Sequence, residues 1–259
     1  KGVGCPQVFL LLHGGPSEAT PVEKHRSIDI LFPASFSKDL IEGNHWEQKY
    51  GDLVKLLHDI RDENLDNPLD GLEERILEHS LAINVVGETN VSSTYMEIVK
   101  DLNLHFRHKS RLELLKSLDK QGQGVHLCGI GWENCEFENH KNLGQCNFKE
   151  TQEHMKNTKI LLDSSPFHPI GLHERFLYGA MSGASVVTDN NIIKEQIFTH
   201  KTDAFLYNHL SVNSLGDNLR TMLANDSWKD IAVNGQKKIK EKHTWKHRTQ
   251  AIVETFNLQ

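Results

Sequence analysis

Three stretches of the 259-residue chain place chemistry-bearing residues where a strand would give way to a loop or helix. The first is Ser164–Asp189, SSPFHPIGLHERFLYGAMSGASVVTD, which reads as strand end, loop, helix and strand. Pro166, Pro169 and Gly171 would hold the loop extended and then turn it. A helix starting near Leu172 or His173 aims unpaired backbone N–H groups and its positive dipole end at that loop, a site suited to a diphosphate. His173 and Arg175 add donor or cationic groups there. Glu174 offers a carboxylate to sugar hydroxyls; its plainer role is to stabilise the helix dipole. The second stretch is Gly129–Glu133, GIGWE, where two close glycines bring backbone near a ligand at the carboxyl edge of a sheet. Trp132 either stacks on a base or caps the core. The third is Leu10–Pro16, LLLHGGP. His-Gly-Gly after a strand also forms the oxyanion-hole loop of Ser hydrolases, but that chemistry needs a G-x-S-x-G elbow. The chain offers only Gly179–Gly183, GAMSG, whose Ser stands fourth and at a helix end.

Alternating strands and helices must position these residues. Val8–Leu12, Ser27–Ser35, Val125–Ile130, Lys159–Ser164, Ala184–Asp189 and Asp203–Tyr207 have the short apolar runs of buried strands. Helical spacing is expected over 44–64, Leu72–Ile83, Tyr95–Phe106, Arg111–Leu118, 150–157, His173–Met181, 191–198, 212–224, 227–242 and 245–256. The alternation predicts a doubly wound α/β domain, a parallel sheet with helices on both faces.

Composition narrows the function classes. Lys and Arg number 29 against 35 Asp and Glu, a net charge of −6, so no basic surplus exists to neutralise nucleic-acid phosphates. The longest apolar run is Val8–Leu12, far short of the ~20 residues that span a bilayer. No signal peptide is read at the start, and a cytoplasmic location is expected. Cys5, Cys128, Cys135 and Cys146 form no Cys-x-x-Cys, so free thiols are expected; a zinc site with His126 or His140 is the alternative. No Asp-x-Asp pair ends a strand, so no metal is expected in the chemistry.

From Arg111 to Phe256 the chain resembles the C-terminal domain of a GT-B glycosyltransferase, most of all the spore-maturation CgeB-like enzymes. The resemblance rests on RLELL at 111–115, GIGWE at 129–133, NLGQ at 142–145, MKNTKILL at 155–162, GLHERFLYGAMSGA at 171–184 and HTWKHR at 243–248. It implies a metal-independent transferase with no cofactor, whose substrate is a UDP-, GDP- or TDP-linked sugar. It implies a base near Gly144 and a diphosphate near Gly171, Leu172, His173, Glu174 and Arg175. Ser35, Gly131, Trp132 and Ser165 complete the implied donor-binding set. Residues 26–259 would be the donor domain and 1–25 the end of a preceding Rossmann-like domain, placing His13 as a candidate acceptor base. The acceptor, whether protein, glycan or small molecule, is left open. The second Glu of such enzymes is missing; Gly179 stands just before the Ala-Met pair. A non-catalytic nucleotide-binding or interaction module of the same fold is the alternative. His173 is expected to meet the diphosphate as an imidazolium.

Overall fold

Apolar runs bounded by loops become strands when both of their faces can be covered, and this chain covers both. In the computed structural model, which describes residues 11–63, 71–82, 91–166 and 171–256, six strands form one parallel sheet. They are β1 (Ile28–Pro33), β2 (His126–Cys128), β3 (Lys141–Asn142), β4 (Thr158–Asp163), β5 (Ser185–Asp189) and β6 (Phe205–Tyr207). Their order is β3-β2-β1-β4-β5-β6. The chain therefore winds outward from β1 in one direction and from β4 in the other. The carboxyl ends of β1 and β4 border the switch point of the sheet, where such folds leave a crevice.

The helices are α1 (Lys38–Glu42), α2 (Trp46–Tyr50), α3 (Val54–Arg61), α4 (Leu72–Ala82), α5 (Val91–Lys120), α6 (Phe148–Lys156), α7 (Glu174–Met181), α8 (Ile192–Ile197), α9 (Leu215–Ala224), α10 (Trp228–Lys242) and α11 (Trp245–Phe256). Side chains alternate across the strands. Ile30, Phe32, Ile160 and Leu162 face the core shared with Leu114, Leu115 and Leu118 of α5, Leu219 of α9 and Trp228 of α10. Leu31, Leu161 and Val186 face Phe176, Leu177 and Ala180 of α7 and Met155 of α6. A third core lies within the β1-to-β2 connection, where Trp46, Leu57, Ile60 and Ile76 pack on Ile98, Leu102 and Phe106 of α5.

Three expectations change. The helices expected at Tyr95–Phe106 and Arg111–Leu118 are one 30-residue helix, α5. The polar run from Arg107 to Arg111 breaks the apolar stripe without breaking the backbone. The helix expected over 44–64 is interrupted by a 3-10 turn at Gly51–Leu53. The strand expected at Val8–Leu12 lies partly outside the described residues, and Leu11 and Leu12 are in no strand. The chain after it packs on this same unit: the Gly15 N–H donates to the His243 carbonyl at 2.8 Å and the Trp245 N–H to that of Gly15 at 2.9 Å. Ser182 of GAMSG, read from the sequence as a helix-end residue, caps the C-terminus of α7 and is 7% exposed, and no nucleophile elbow forms there.

Cys128, Cys135 and Cys146 are free thiols. Among the described residues no group of three His, Cys, Asp or Glu converges to hold a metal. No helix among them is long and apolar enough to cross a membrane.

The GIG turn joins β2 to the end of β1. Gly131 has φ 96°, and a Cβ placed on it would lie 2.0 Å from the Phe36 carbonyl oxygen. Both the left-handed backbone and the contact with fixed backbone exclude a side chain. Gly131→Ala is expected to cost about 2–3 kcal/mol, read as a lower urea midpoint at unchanged slope.

Candidate functional site

The crevice at the switch point is a cleft of about 370 Å³. Three segments wall it. Pro33, Ala34 and Ser35 continue from the end of β1, Arg107 and Arg111 come from the middle of α5, and His173, Glu174 and Arg175 begin α7. Cys128, Gly129, Cys146 and Thr151 close the β2 and α6 side. Glu174 is exposed at its lip.

Arg175 holds the cleft together. Its Nη1 donates to the Pro33 carbonyl at 2.8 Å, and its Nε lies 3.5 Å from Asp163 Oδ1 at the end of β4. Asp163 is fully buried. Its Oδ2 accepts from Ser165 Oγ and Thr188 Oγ1, each at 3.0 Å. The Lys194 ammonium donates to Ser165 Oγ at 3.2 Å, Thr188 Oγ1 at 2.9 Å and the Asp189 carbonyl at 2.7 Å. It also pairs with Asp189 Oδ2 at 3.3 Å. Burial alone would push the Asp163 carboxyl up. The charges of Arg175, Lys194 and His173, in that order, outweigh it and hold the carboxyl well below the usual range. Two buried carboxylates thus face two cations, Arg175 and Lys194.

The sequence-predicted residues divide into those at the cleft and those behind it. Ser35, His173, Glu174 and Arg175 line it together. Gly144 stands next to it, its carbonyl accepting from the Gly129 N–H at 2.9 Å. Ser165 lies underneath, in the buried polar network; its N–H donates to Asp189 Oδ1 at 2.6 Å. Gly171 anchors the loop, its carbonyl accepting from Asn191 Nδ2 at 2.9 Å. Leu172 is 2% exposed and belongs to the core.

Trp132 does not stack on a ligand: it is 1% exposed, lies 4.8 Å from the Phe36 ring in a stacked arrangement, and its Nε1 donates to the Ala34 carbonyl at 2.5 Å. An indole at the carboxyl edge is worth more as core when one backbone acceptor satisfies its N–H. Gly131 approaches the Phe36 carbonyl, so it faces protein rather than the cleft. His173 is the N-cap of α7, and its Nδ1 accepts from the Arg175 backbone N–H at 3.1 Å. That bond requires an unprotonated Nδ1, so capping and the expected imidazolium compete for one lone pair. His13 is exposed, edge-on to Trp245 at 6.2 Å, and is not among the cleft residues.

Sequence reasoning missed Arg107. It used Arg111 only as part of a motif. The available signal was their i, i+4 spacing, which puts both on one helix face.

A model of the family described as glycosyl transferase-like matches residues 107–254, more than half of the chain. No curated protein sequence matches. Among solved structures, TarM is similar at a TM-score of 0.50 with 12% identity, over 96% of this chain and 38% of that one. The pneumococcal O-GlcNAc transferase GtfA, solved with UDP and GlcNAc, is similar at 0.50 with 7% identity, over 93% and 38%. The chain therefore spans little more than a third of each. At these identities the likeness concerns fold: the six-stranded sheet flanked by helices is a Rossmann-like unit of GT-B type.

Asp163 yields a test. Asp163→Asn takes the carboxylate partner from Arg175 and leaves Asp189 as the one carboxylate facing the two buried cations, which should cost about 3–5 kcal/mol. A carboxyl held below its unfolded value stabilises fully above the unfolded pKa near ~4 and loses that contribution as pH falls further. Chemical denaturation between pH 7 and 2 should show a steep acid limb below about pH 4 in the parent and a shallower one in the variant.

Proposed function

Because the chain belongs to the glycosyl transferase-like family, we propose that it is the donor-binding part of a CgeB-like, metal-independent GT-B glycosyltransferase. The donor is a sugar linked to UDP, GDP or TDP; the GtfA structure holds UDP. Residues 26–259 form the donor domain in this reading, and residues 1–25 end a preceding domain. The observation that supports it best is the cationic cleft at the switch point, with the first turn of α7 on one wall and Glu174 exposed at its lip.

In the reaction, an oxygen or nitrogen of the acceptor bonds to the anomeric carbon. The bond from that carbon to the diphosphate breaks, its electron pair stays on the diphosphate, and the acceptor's proton passes to a base. The cleft's part is electrostatic: α7 N–H groups and the guanidinium groups oppose the charge left on the diphosphate. Glu174 accepts hydroxyl protons of the ribose or sugar. The acceptor is a protein, a glycan or a small molecule, and the reaction is assigned to the cytoplasm.

A second reading, a nucleotide-binding module without turnover, draws on one observation. Glu174 is the only carboxylate among the described cleft residues, and a Cβ on Gly179 would lie 2.1 Å from Leu161 Cδ2, so that position faces the sheet. Binding without hydrolysis or transfer, across UDP-, GDP- and TDP-sugars, would select it.

Glu174→Ala is expected to weaken nucleotide-sugar binding by about 1.5–3 kcal/mol while the melting temperature stays within a degree or two; an unchanged dissociation constant removes Glu174 from the donor site. Turnover is expected to persist in EDTA, and activity restored only by manganese or magnesium would reverse the assignment.

A further inference from the structure

Cys128 and Cys146 share one wall of the cleft, and the transfer chemistry uses neither. Cys128 ends β2 and is 3% exposed. Cys146 is half-buried in the loop from β3 to α6 and packs against the apolar cluster that contains Cys128. The backbone brings the two together. The Leu143 N–H donates to the Leu127 carbonyl at 2.8 Å, and the Gly129 N–H donates to that of Gly144 at 2.9 Å. Gly144, at φ 78°, then turns the chain. The Cys146 thiol donates back to the Gly144 carbonyl at 3.6 Å. Cys135 belongs elsewhere, packing against the cluster of Ile30 and Phe32.

The two thiols are unequal. The Thr151 hydroxyl donates to the Asn147 carbonyl at 2.9 Å, which leaves its oxygen to accept from the Cys128 thiol at 3.6 Å. Burial, then the neighbouring Cys146 thiol, pushes Cys128 up to about 12, so it keeps its proton at neutral pH. A protonated, enclosed thiol is a poor nucleophile. Cys146 lines the cleft with part of its surface open. An oxidant in the cleft therefore reaches Cys146 first, with Cys128 placed behind it to resolve the adduct.

We propose that Cys128 and Cys146 form a dithiol site that closes reversibly to a disulfide by exchange with a low-molecular-weight disulfide such as oxidised glutathione, and that closing it weakens ligand binding in the cleft. The Cys146 thiol loses its proton to water, and its sulfur attacks one sulfur of the oxidant. That S–S bond breaks, and one glutathione leaves with the electron pair and takes up a proton. The Cys128 sulfur then attacks the Cys146 sulfur. The second glutathione leaves with the electron pair and the proton that Cys128 gives up. Two protein thiols are oxidised and one oxidised glutathione is reduced to two thiols. Closing the bond takes Cys146 from the Gly144 carbonyl and Cys128 from Thr151, so the end of β2, the loop and the start of α6 are repositioned on that wall. The thiol chemistry stands apart from the nucleotide-sugar reading; only the effect on binding rests on it.

The test treats the full chain with excess oxidised glutathione at about pH 8, quenches with acid and maps the peptides by mass spectrometry. The expected product is a pair of peptides linked through Cys128 and Cys146, lighter by two hydrogens and released by dithiothreitol. Glutathione held on Cys146 with no linked pair, or no modification of either thiol, overturns the site. Cys128→Ala should accumulate glutathione on Cys146, and Cys146→Ala should leave Cys128 unmodified; an adduct on Cys128 in the second variant overturns the order of attack. If either variant does not fold, the map of the parent decides. UDP is then titrated calorimetrically into the reduced and the oxidised chain. The oxidised chain should bind about fivefold or more weakly, with affinity restored by dithiothreitol. Equal affinity in the two states overturns the effect on binding and leaves the donor reading standing. UDP bound by neither state overturns the nucleotide-sugar reading and with it the effect on binding, while the linked pair alone still upholds the dithiol site.

Discussion

The guanidinium of Arg175 joins three pieces of chain at the reversal of the sheet: the end of β1 through the Pro33 carbonyl, the end of β4 through Asp163, and its own helix, whose first turn is capped by His173. β1 and β4 are hydrogen-bonded neighbours as far as Leu31 and Leu161, and beyond that pairing a charged side chain bridges their ends. The buried Asp163 makes the bridge stiff, because its carboxylate is fixed from the other side by Thr188 and Ser165, which Lys194 in turn orients. In a low-dielectric interior such a network is strong when complete and costly when one member is lost. The helix start, its cap and the cleft wall are all positioned by it.

The fold was legible where local pattern and burial agree. TKILLD and SVVTD are buried throughout or nearly so, which is why continuous apolar runs found β4 and β5 within a residue or so. GLHER marked the start of α7 because turn residues precede an amphipathic stretch. β3 was illegible: Lys141 and Asn142 are both exposed, and only pairing with His126 and Leu127 makes them a strand. The order of the strands also lies outside any local signal, since it depends on which crossovers pack on which face.

The site was half legible. His173, Glu174 and Arg175 were found because a helix start is a recognisable place for an anion. Their division of labour was not, because a histidine at that position can cap its helix or meet a ligand, and only geometry decides. Trp132 shows the same ambiguity in apolar form, its ring equally suited to a base and to Phe36. The opposite wall was missed for a different reason. Five consecutive residues, Arg107 to Arg111, include four charged or imidazole side chains, and on periodicity alone they end one helix and begin another. Conflict between local pattern and actual structure is expected where function, rather than folding, chose the residues.

The continuity of α5 has a mechanical consequence. Thirty residues at ~1.5 Å each make a rod about 45 Å long. One end is clamped by Ile98, Leu102 and Phe106 in the helical core, the other by Leu114, Leu115 and Leu118 against the sheet. Arg107 and Arg111 sit between the clamps, like a mark on a beam supported at both ends. Such a beam transmits displacement instead of absorbing it, since bending would break its own hydrogen bonds. Repacking around Trp46 or Leu57, on the far side of the connection from the sheet, would therefore arrive at the cleft as a shift in the position of its charges, with little local softening along the way.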